Sequence, residues 1–286
     1  MTPTPSTIPR LVKLPTNGPA APVVTEPVLE EAPVVAHRQV GPDTWLLTLH
    51  APVVAARVQP GQFAMLTLAR EGETAPVLPR PMALYAWDRQ AGTVDVMYRV
   101  VGDGTRVLAT WRVGERMLTV GPVGRGFSLL PAATRVLLLG RGIGTCSLTA
   151  LAETAAQRDI RVAAVTSART PETIIGADFY ASVGVQDVLA VHDEDGSSDV
   201  PRLRPRLAAL LAEGGVDQIF VCGAERLLRL GAELGERFDA MVQVSLEAHM
   251  ACGLGYCHGC STGYAGLADE APLVCHDGPV FQVARA

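Results

Sequence analysis

The sequence is short of lysine. Lys13 is the only one among its 24 basic residues, and the rest are Arg. The formal net charge is −5, which gives no electrostatic basis for binding nucleic acid. No apolar run approaches the roughly 20 residues needed to span a bilayer. The N-terminus lacks the apolar segment of a secretory signal. No internal repeat is visible, and no Ser–His–Asp arrangement has a supporting context. These absences exclude a nucleic-acid binder, a membrane-embedded protein and a triad hydrolase. What remains is a 286-residue chain, 48% hydrophobic and 19% charged, with enough core for two or three domains.

Its six cysteines are unevenly placed: four fall within the last 35 residues. Cys252, Cys257, Cys260 and Cys275 form the pattern C-x4-C-x2-C followed by x14 and a fourth Cys. This is the plant-type spacing of a [2Fe–2S] cluster, in which four thiolates hold two irons. Gly253, Gly255 and Gly259 let the loop bend with its amides free to point at sulfur. A four-cysteine zinc site is the rival reading. Zinc ribbons usually pair two C-x2-C knuckles, and only one pair here has that spacing. Disulfides rank last because no export signal accompanies the cysteines. Reduced thiols and a cluster fit a cytoplasmic location.

The chain changes character along its length. Residues 1–30 carry seven prolines and little periodicity, which predicts a disordered leader. From 31 to 130 the signals are β: Ala32–Val40, Thr44–His50, Gln62–Leu68, Met82–Trp87, Thr93–Val101 and Met117–Val120. Short strands with Gly/Pro turns predict a small antiparallel barrel, interrupted by one helix near Arg106–Trp111. From 131 to 246 strands alternate with helices. Strands are expected at Arg135–Leu139, Arg161–Thr166, Val185–Val191, Gln218–Val221 and Met241–Ser245. Helices are expected at 147–157, Arg202–Ala212 and Glu225–Leu234. That alternation predicts an α/β domain with a parallel sheet. Residues 247–286 read as a small third module stapled by its metal.

Four further motifs suggest ligands. Gly140-Arg141-Gly142-Ile143-Gly144 follows a strand and precedes a helix, the place where backbone amides meet a pyrophosphate. It is not the full G-x-G-x-x-G, and no acid ends the next strand to hold a ribose. Arg80-Pro81-Met82-Ala83-Leu84 can present a guanidinium to a phosphate at a strand entrance. Gly102-Asp103-Gly104-Thr105 can open a short helix whose free amides suit a second phosphate contact; by itself, a plain turn with Thr as the cap is the better explanation. Cys222-Gly223 ends a strand on the ligand-binding side of such a sheet, although Cys222 and Cys146 also read as inert buried cysteines. His258 lies within the cluster loop, where a fourth Cys makes it unnecessary as a ligand.

Barrel, nucleotide domain and cluster tail, in that order, resemble the ferredoxin–NADP reductase superfamily. More narrowly, they resemble the electron-transfer subunits of type B dihydroorotate dehydrogenases. The resemblance covers about 31–286. It is carried by Ser245-Leu246-Glu247 through Cys260 and by Val274 through Phe281. Gly102-x-Gly104-Thr105, Gly121-Pro122-Val123-Gly124 and Gly126-Phe127 also match. It implies that the barrel binds FAD, with Arg80 at the pyrophosphate, Pro81, Met82, Ala83 and Leu84 lining the flavin, and Gly104 and Thr105 completing the phosphate cradle. It implies NAD as acceptor, above Gly140, Gly142 and Gly144, with Cys222 and Gly223 near the nicotinamide. Cys252, Cys257, Cys260 and Cys275 would ligate the cluster.

The implied partner is an FMN-containing dihydroorotate dehydrogenase catalytic subunit, in a heterotetramer of two copies of each. Electrons would run from dihydroorotate through FMN, the cluster and FAD to NAD, in pyrimidine biosynthesis. Three residues depart from the family pattern. Ala83 replaces the usual Ser or Thr, Arg141 interrupts a Gly-Gly-Gly loop, and Ala224 replaces the Pro after Cys-Gly. Two other readings use the same residues. One is a reductase subunit for a sulfur reductase, hydrogenase or oxygenase. The other is a non-catalytic cluster-bearing assembly or sensor protein. Ser167 and Arg169 follow the second strand of the α/β domain, where a 2′-phosphate of NADP would bind; the resemblance favours NAD.

Overall fold

The computed structural model describes residues 9–18, 20–262 and 271–285. Residues 1–8 and 19 of the expected leader, and 263–270 and 286 of the expected cluster module, lie outside the described residues. Two seven-stranded sheets organise the chain.

The antiparallel sheet is built from β2 (Val28–Gly41), β3 (Thr44–His50), β4 (Phe63–Leu66), β5 (Arg80–Ala83), β6 (Ala86–Asp88), β7 (Thr93–Arg99) and β8 (Arg116–Val123), in the order β5-β4-β8-β2-β3-β7-β6. Its curl originates in β2. The first part of this long strand, Val28–Pro33, pairs with β8, and the remainder, from Val34, pairs with β3. One strand therefore serves two halves, with register irregularities marking the bend. The sheet is a curled half-barrel with β5 and β6 as its edges. Alternating residues such as Leu47, Leu49, Val94 and Val96 fill the inside, joined by Ala64, Leu66 and Met82. Helix α1 (Pro52–Arg57) starts with Pro at its first position and buries Val54 and Ala55. It was not predicted, because six residues are too few to show a helical period. Helix α2 (Asp103–Leu108) starts three residues before its expected position.

The second sheet contains β9 (Arg135–Arg141), β10 (Arg161–Ala168), β11 (Asp187–His192), β12 (Gln218–Cys222) and β13 (Met241–Ser245), all parallel. Val136 to Leu139 of β9 are fully buried, as befits a central strand covered on both faces. Helices α3 (Cys146–Ala156) and α4 (Ala177–Ser182) pack on one face; α5 (Val200–Ala212) and α6 (Glu225–Phe238) pack on the other.

One expectation needs correction. The leader is not wholly disordered: β1 (Leu11–Lys13) is an edge strand of the second sheet, with Leu11 and Leu14 buried. Its partner is β14 (Val280–Val283), which comes from the Cys-rich tail and pairs antiparallel with β13. The cluster module at the tail is thus anchored in the sheet through its last strand. Proline richness hid β1, since a three-residue strand takes its stability from its neighbours.

Beside that pairing, the Lys13 ammonium lies 2.6 Å from the Asp277 carboxylate. Asp277 is buried and also accepts the Leu273 amide at 2.8 Å. The lone lysine therefore steadies the turn that carries Cys275. Lys13→Ala should cost about 1 kcal/mol, the range of a partly exposed ion pair. That corresponds to a melting temperature lower by about 2–4 °C in calorimetry, with faster cluster loss in air.

Candidate functional site

The glycines of the α/β domain meet through their backbones. A Cβ on Gly144 would stand 2.8 Å from the Gly223 Cα, and one on Gly223 would stand 2.5 Å from the Arg141 carbonyl oxygen. Gly140 is closed in by the Thr145 hydroxyl, 2.6 Å from where its Cβ would be. Gly142 has φ +53° and open space beside it. The loop after β9 and the loop after β12 are thereby pressed together at the carboxyl ends of adjacent strands. In an open α/β sheet this is where a crevice forms. A cavity of about 390 Å³ adjoins them, lined by Gly223, Ala224, Ser245, Glu247, Thr262 and Val274.

Arg141 does not crowd this loop. Its side chain runs to the far ends of β10 and β11, donating to the Ser167 hydroxyl at 2.8 Å and to the Asp193 carboxylate at 2.6 and 3.1 Å. Arg226, in the first turn of α6, donates to the same carboxylate at 2.9 Å. Arg141 above all, then Ser198 and Arg226, hold the Asp193 carboxyl well below the usual carboxylate range. Sequence reasoning missed Asp193, because it looked for an acid only at the end of β10. Its signal was Asp193-Glu194-Asp195-Gly196 directly after a strand. Cys222 and Cys146 are fully buried, and burial raises both thiols, that of Cys222 to about 12. They are inert at neutral pH.

In the half-barrel, Arg80 and Gly104 come together although 24 residues apart. A Cβ on Gly104 would stand 2.5 Å from Arg80 Nε and 2.8 Å from its Cζ, so only glycine admits the guanidinium there. Gly104 lies in the first turn of α2, where amides have no acceptor within the helix. Guanidinium and free amides on one spot make an anion cradle. The Thr105 hydroxyl is occupied with the turn itself, accepting the Val101 amide at 2.9 Å and the Gly102 amide at 3.1 Å. These bonds hold the turn that carries Gly104. Pro81 and Ala83 pair with Met65 and Phe63 of β4, while Met82 and Leu84 belong to the half-barrel core.

The four tail thiols gather in two pairs. Cys260 and Cys275 are buried with their sulfurs 3.2 Å apart. Cys252 faces Cys257, which is exposed. Among the described residues no three of them already stand in metal-ligating geometry. Backbone amides nonetheless point at three of the sulfurs. The Gly255 amide donates to Cys275 sulfur at 3.2 Å, the Leu254 amide to Cys252 at 3.4 Å, and the Cys275 amide to Cys260 at 3.4 Å. Burial opposes charge on Cys252, but the Leu254 and Cys257 amides outweigh it and lower its thiol to about 6. Burial and then the Cys260 thiol push Cys275 up to about 12. His258, with φ +57°, makes the turn between Cys257 and Cys260.

The cluster loop rests directly on the half-barrel. A Cβ on Gly253 would stand 2.5 Å from Cγ of Met65 and 2.8 Å from its sulfur. Phe63, Met65, Val274, Cys260 and Cys275 share one buried core. Met65 thus touches the cysteine loop at Gly253 and is the cross-strand partner of Pro81. This contact was invisible in the sequence.

Comparison with known proteins agrees with this arrangement. Residues 247–285 match the family described as the iron-sulfur cluster binding domain of dihydroorotate dehydrogenase B. The chain is 33% identical over 201 residues to the dihydroorotate dehydrogenase B (NAD(+)) electron transfer subunit of Bacillus caldolyticus, covering 69% of this chain and 76% of that one. It belongs to the dihydroorotate dehydrogenase B electron-transfer subunit family. Another member, from Listeria monocytogenes, is 31% identical over 199 residues, 69% of this chain and 76% of that one. Among solved structures, the NADH-dependent reduced ferredoxin–NADP oxidoreductase overlays with a TM-score of 0.72 at 25% identity, covering 88% of both chains. The ferredoxin reductase in carbazole 1,9a-dioxygenase shares the fold, with a TM-score of 0.58 at 21% identity over 75% of this chain and 67% of that one.

Two measurements check the geometry of this family member. Gly104→Ala places its methyl against the movable end of Arg80 and not against backbone, so the fold should survive. Flavin affinity should fall about tenfold, or roughly 1.4 kcal/mol, in a flavin-release titration. Asp193 has a folded pKa below its unfolded value of about 3.9. Its stabilisation is therefore complete above that value and lost as pH falls through the lower, folded one. Wild type should melt above Asp193→Asn at pH 7, and the gap should shrink below pH 4.

Proposed function

We propose that this chain is the electron-transfer subunit of an NAD-dependent dihydroorotate dehydrogenase, acting in pyrimidine biosynthesis with an FMN-containing catalytic subunit, in a complex of two copies of each. The observation that carries the reading is the seating of the cysteine loop on Met65, one strand away from the Arg80–Ala83 strand. Family membership supplies the enzyme, and that contact supplies the reason for joining a cluster to this fold. No helix among the described residues is long and apolar enough to cross a membrane. The thiols the cluster requires suit the reducing cytoplasm.

In this reading Cys252, Cys257, Cys260 and Cys275 hold a [2Fe–2S] cluster, and the amides of Leu254, Gly255 and Cys275 offset its negative charge. Arg80 and the first-turn amides of α2, at Gly104 and Thr105, hold the FAD pyrophosphate. Pro81 to Leu84 form the wall beside the flavin. Ala83 brings no hydroxyl to that wall, where a backbone amide can serve the ring edge instead. Gly140, Gly142 and Gly144 leave room for the NAD pyrophosphate, with Cys222 and Gly223 beside the nicotinamide. When bound, the flavin exchanges hydride with NAD and single electrons with the cluster. The protein's own work is to bind, to orient and to keep water from the buried thiols Cys260 and Cys275.

A reductase serving a sulfur reductase, hydrogenase or oxygenase would use the same three sites. Anaerobic co-expression separates it, because only the proposed partner confers dihydroorotate-dependent NAD reduction. Cys257 is exposed, which suits a ligand near the partner face. Cys257→Ser should abolish coupled NAD reduction and leave the partner's oxidation of dihydroorotate by an artificial acceptor intact. Loss of both activities would count against this electron path. A cluster-bearing sensor would instead hold FAD and iron yet show no bleaching of the flavin by NADH.

A further inference from the structure

We propose that Asp193 makes the chain select NAD over NADP, by occupying the guanidiniums of Arg141 and Arg226 that a 2′-phosphate would otherwise take. The inference rests on the nucleotide-binding role proposed above and specifies its substrate.

A dinucleotide fold reads the adenosine ribose beside the end of the second strand, with an acid for a free 2′-hydroxyl or an arginine for a 2′-phosphate. Here the second strand, β10, ends in Ser167 and Ala168, and no acid follows at once. The fold brings one from the next strand. The Asp193 amide donates to the carbonyl oxygens of Ala168 and Arg169, both at 3.2 Å, which sets the carboxylate against the β10 end. Arg141 reaches it from inside the glycine loop, so Asp193 lies within one arginine's length of the expected pyrophosphate position.

Two of the three arginines at this spot, Arg141 and Arg226, are already committed to Asp193, while Arg169 stands exposed just after β10. Arg141 uses both terminal nitrogens on Asp193, and one of them also meets the Ser167 hydroxyl and the Ala168 carbonyl oxygen at 3.3 Å. Arg226 uses one terminal nitrogen on Asp193 and on the Ser198 hydroxyl at 3.2 Å. Ser167, a natural phosphate ligand by its position, is completely buried beneath Arg141. An incoming 2′-phosphate would meet a fixed carboxylate, and to reach either arginine it must displace a partner tethered to the same chain. A tethered group competes at a high effective concentration. Rejection by a built-in like charge is a common route to selectivity. A ribose with a free 2′-hydroxyl meets no such repulsion.

The test uses the full chain loaded with FAD and cluster, with 5′-AMP and 2′,5′-ADP as probes in calorimetry and NADH and NADPH as reductants of the flavin. Wild type should prefer 5′-AMP and NADH. Asp193→Asn should shift both ratios at least tenfold toward the phosphorylated member, chiefly through tighter binding. Asp193→Ser should do the same and serves where the Asn variant folds poorly. Adding Arg226→Gln to either should reverse much of the shift. Ratios that stay within twofold of wild type, while NADH still bleaches the flavin, overturn the inference alone. Failure of wild type to bind 5′-AMP or to be reduced by NADH overturns the nucleotide reading, and this inference with it.

Discussion

The pairing of β13 with β14 is the constraint on which the arrangement of sites depends. Ser245 and Val280 are register partners, so the intervening residues 246–279 leave the sheet and return to the same point. All four tail cysteines lie on that excursion. Its ends are fixed by sheet hydrogen bonds, and β1 closes the outer edge, with Lys13 on Asp277. A metal therefore completes a loop whose entropy has already been reduced by sheet pairing. The same anchoring ties the tail to the half-barrel. The Arg125 amide donates to the Gly278 carbonyl oxygen, and the Val280 amide donates to that of Arg125.

The two sheets are held in place by polar contacts buried where water cannot compete. Gln218 and Gln243, on neighbouring strands, both donate to the Ser128 carbonyl oxygen at 2.9 Å, and their own carbonyls accept the Leu130 and Ser128 amides. They fix the connection leaving the half-barrel. The Thr149 hydroxyl donates to the Tyr85 carbonyl oxygen at 2.6 Å, and the Tyr85 ring packs with Cys146 and Ile175. Breaking such bonds leaves buried groups unpaired at a cost of roughly 1–3 kcal/mol each. The segment after the Arg80–Ala83 strand is consequently joined to the start of α3, just after the glycine loop.

Much of this was legible from local pattern. Thr44–His50 and Met241–Ser245 are strands over the expected residues, because alternation and burial leave one period available to them. The thiol spacing and the glycine loop were legible because metal and phosphate chemistry fix residue types at short range. The illegible parts depend on distant neighbours. Leu11–Lys13 is a strand only because β14 lies beside it, and Arg141 avoids the loop only because Asp193, 52 residues away, draws it off. The Thr105 hydroxyl closes its own turn by accepting the Gly102 amide, as a capped turn requires.

By itself the sequence determined the donors: four thiols in cluster spacing, glycines at a strand–helix turn, and an arginine before a proline. It also determined the order of half-barrel, α/β sheet and cysteine tail, since hydrophobic period and turn residues act over a few positions. Only the tertiary structure decided which donors meet. It set Gly144 against Gly223, Arg80 over Gly104, Gly253 on Met65, and Asp193 between two arginines. Those contacts come from strand order and close packing, which bring residues together across the sheet whatever their separation in the chain.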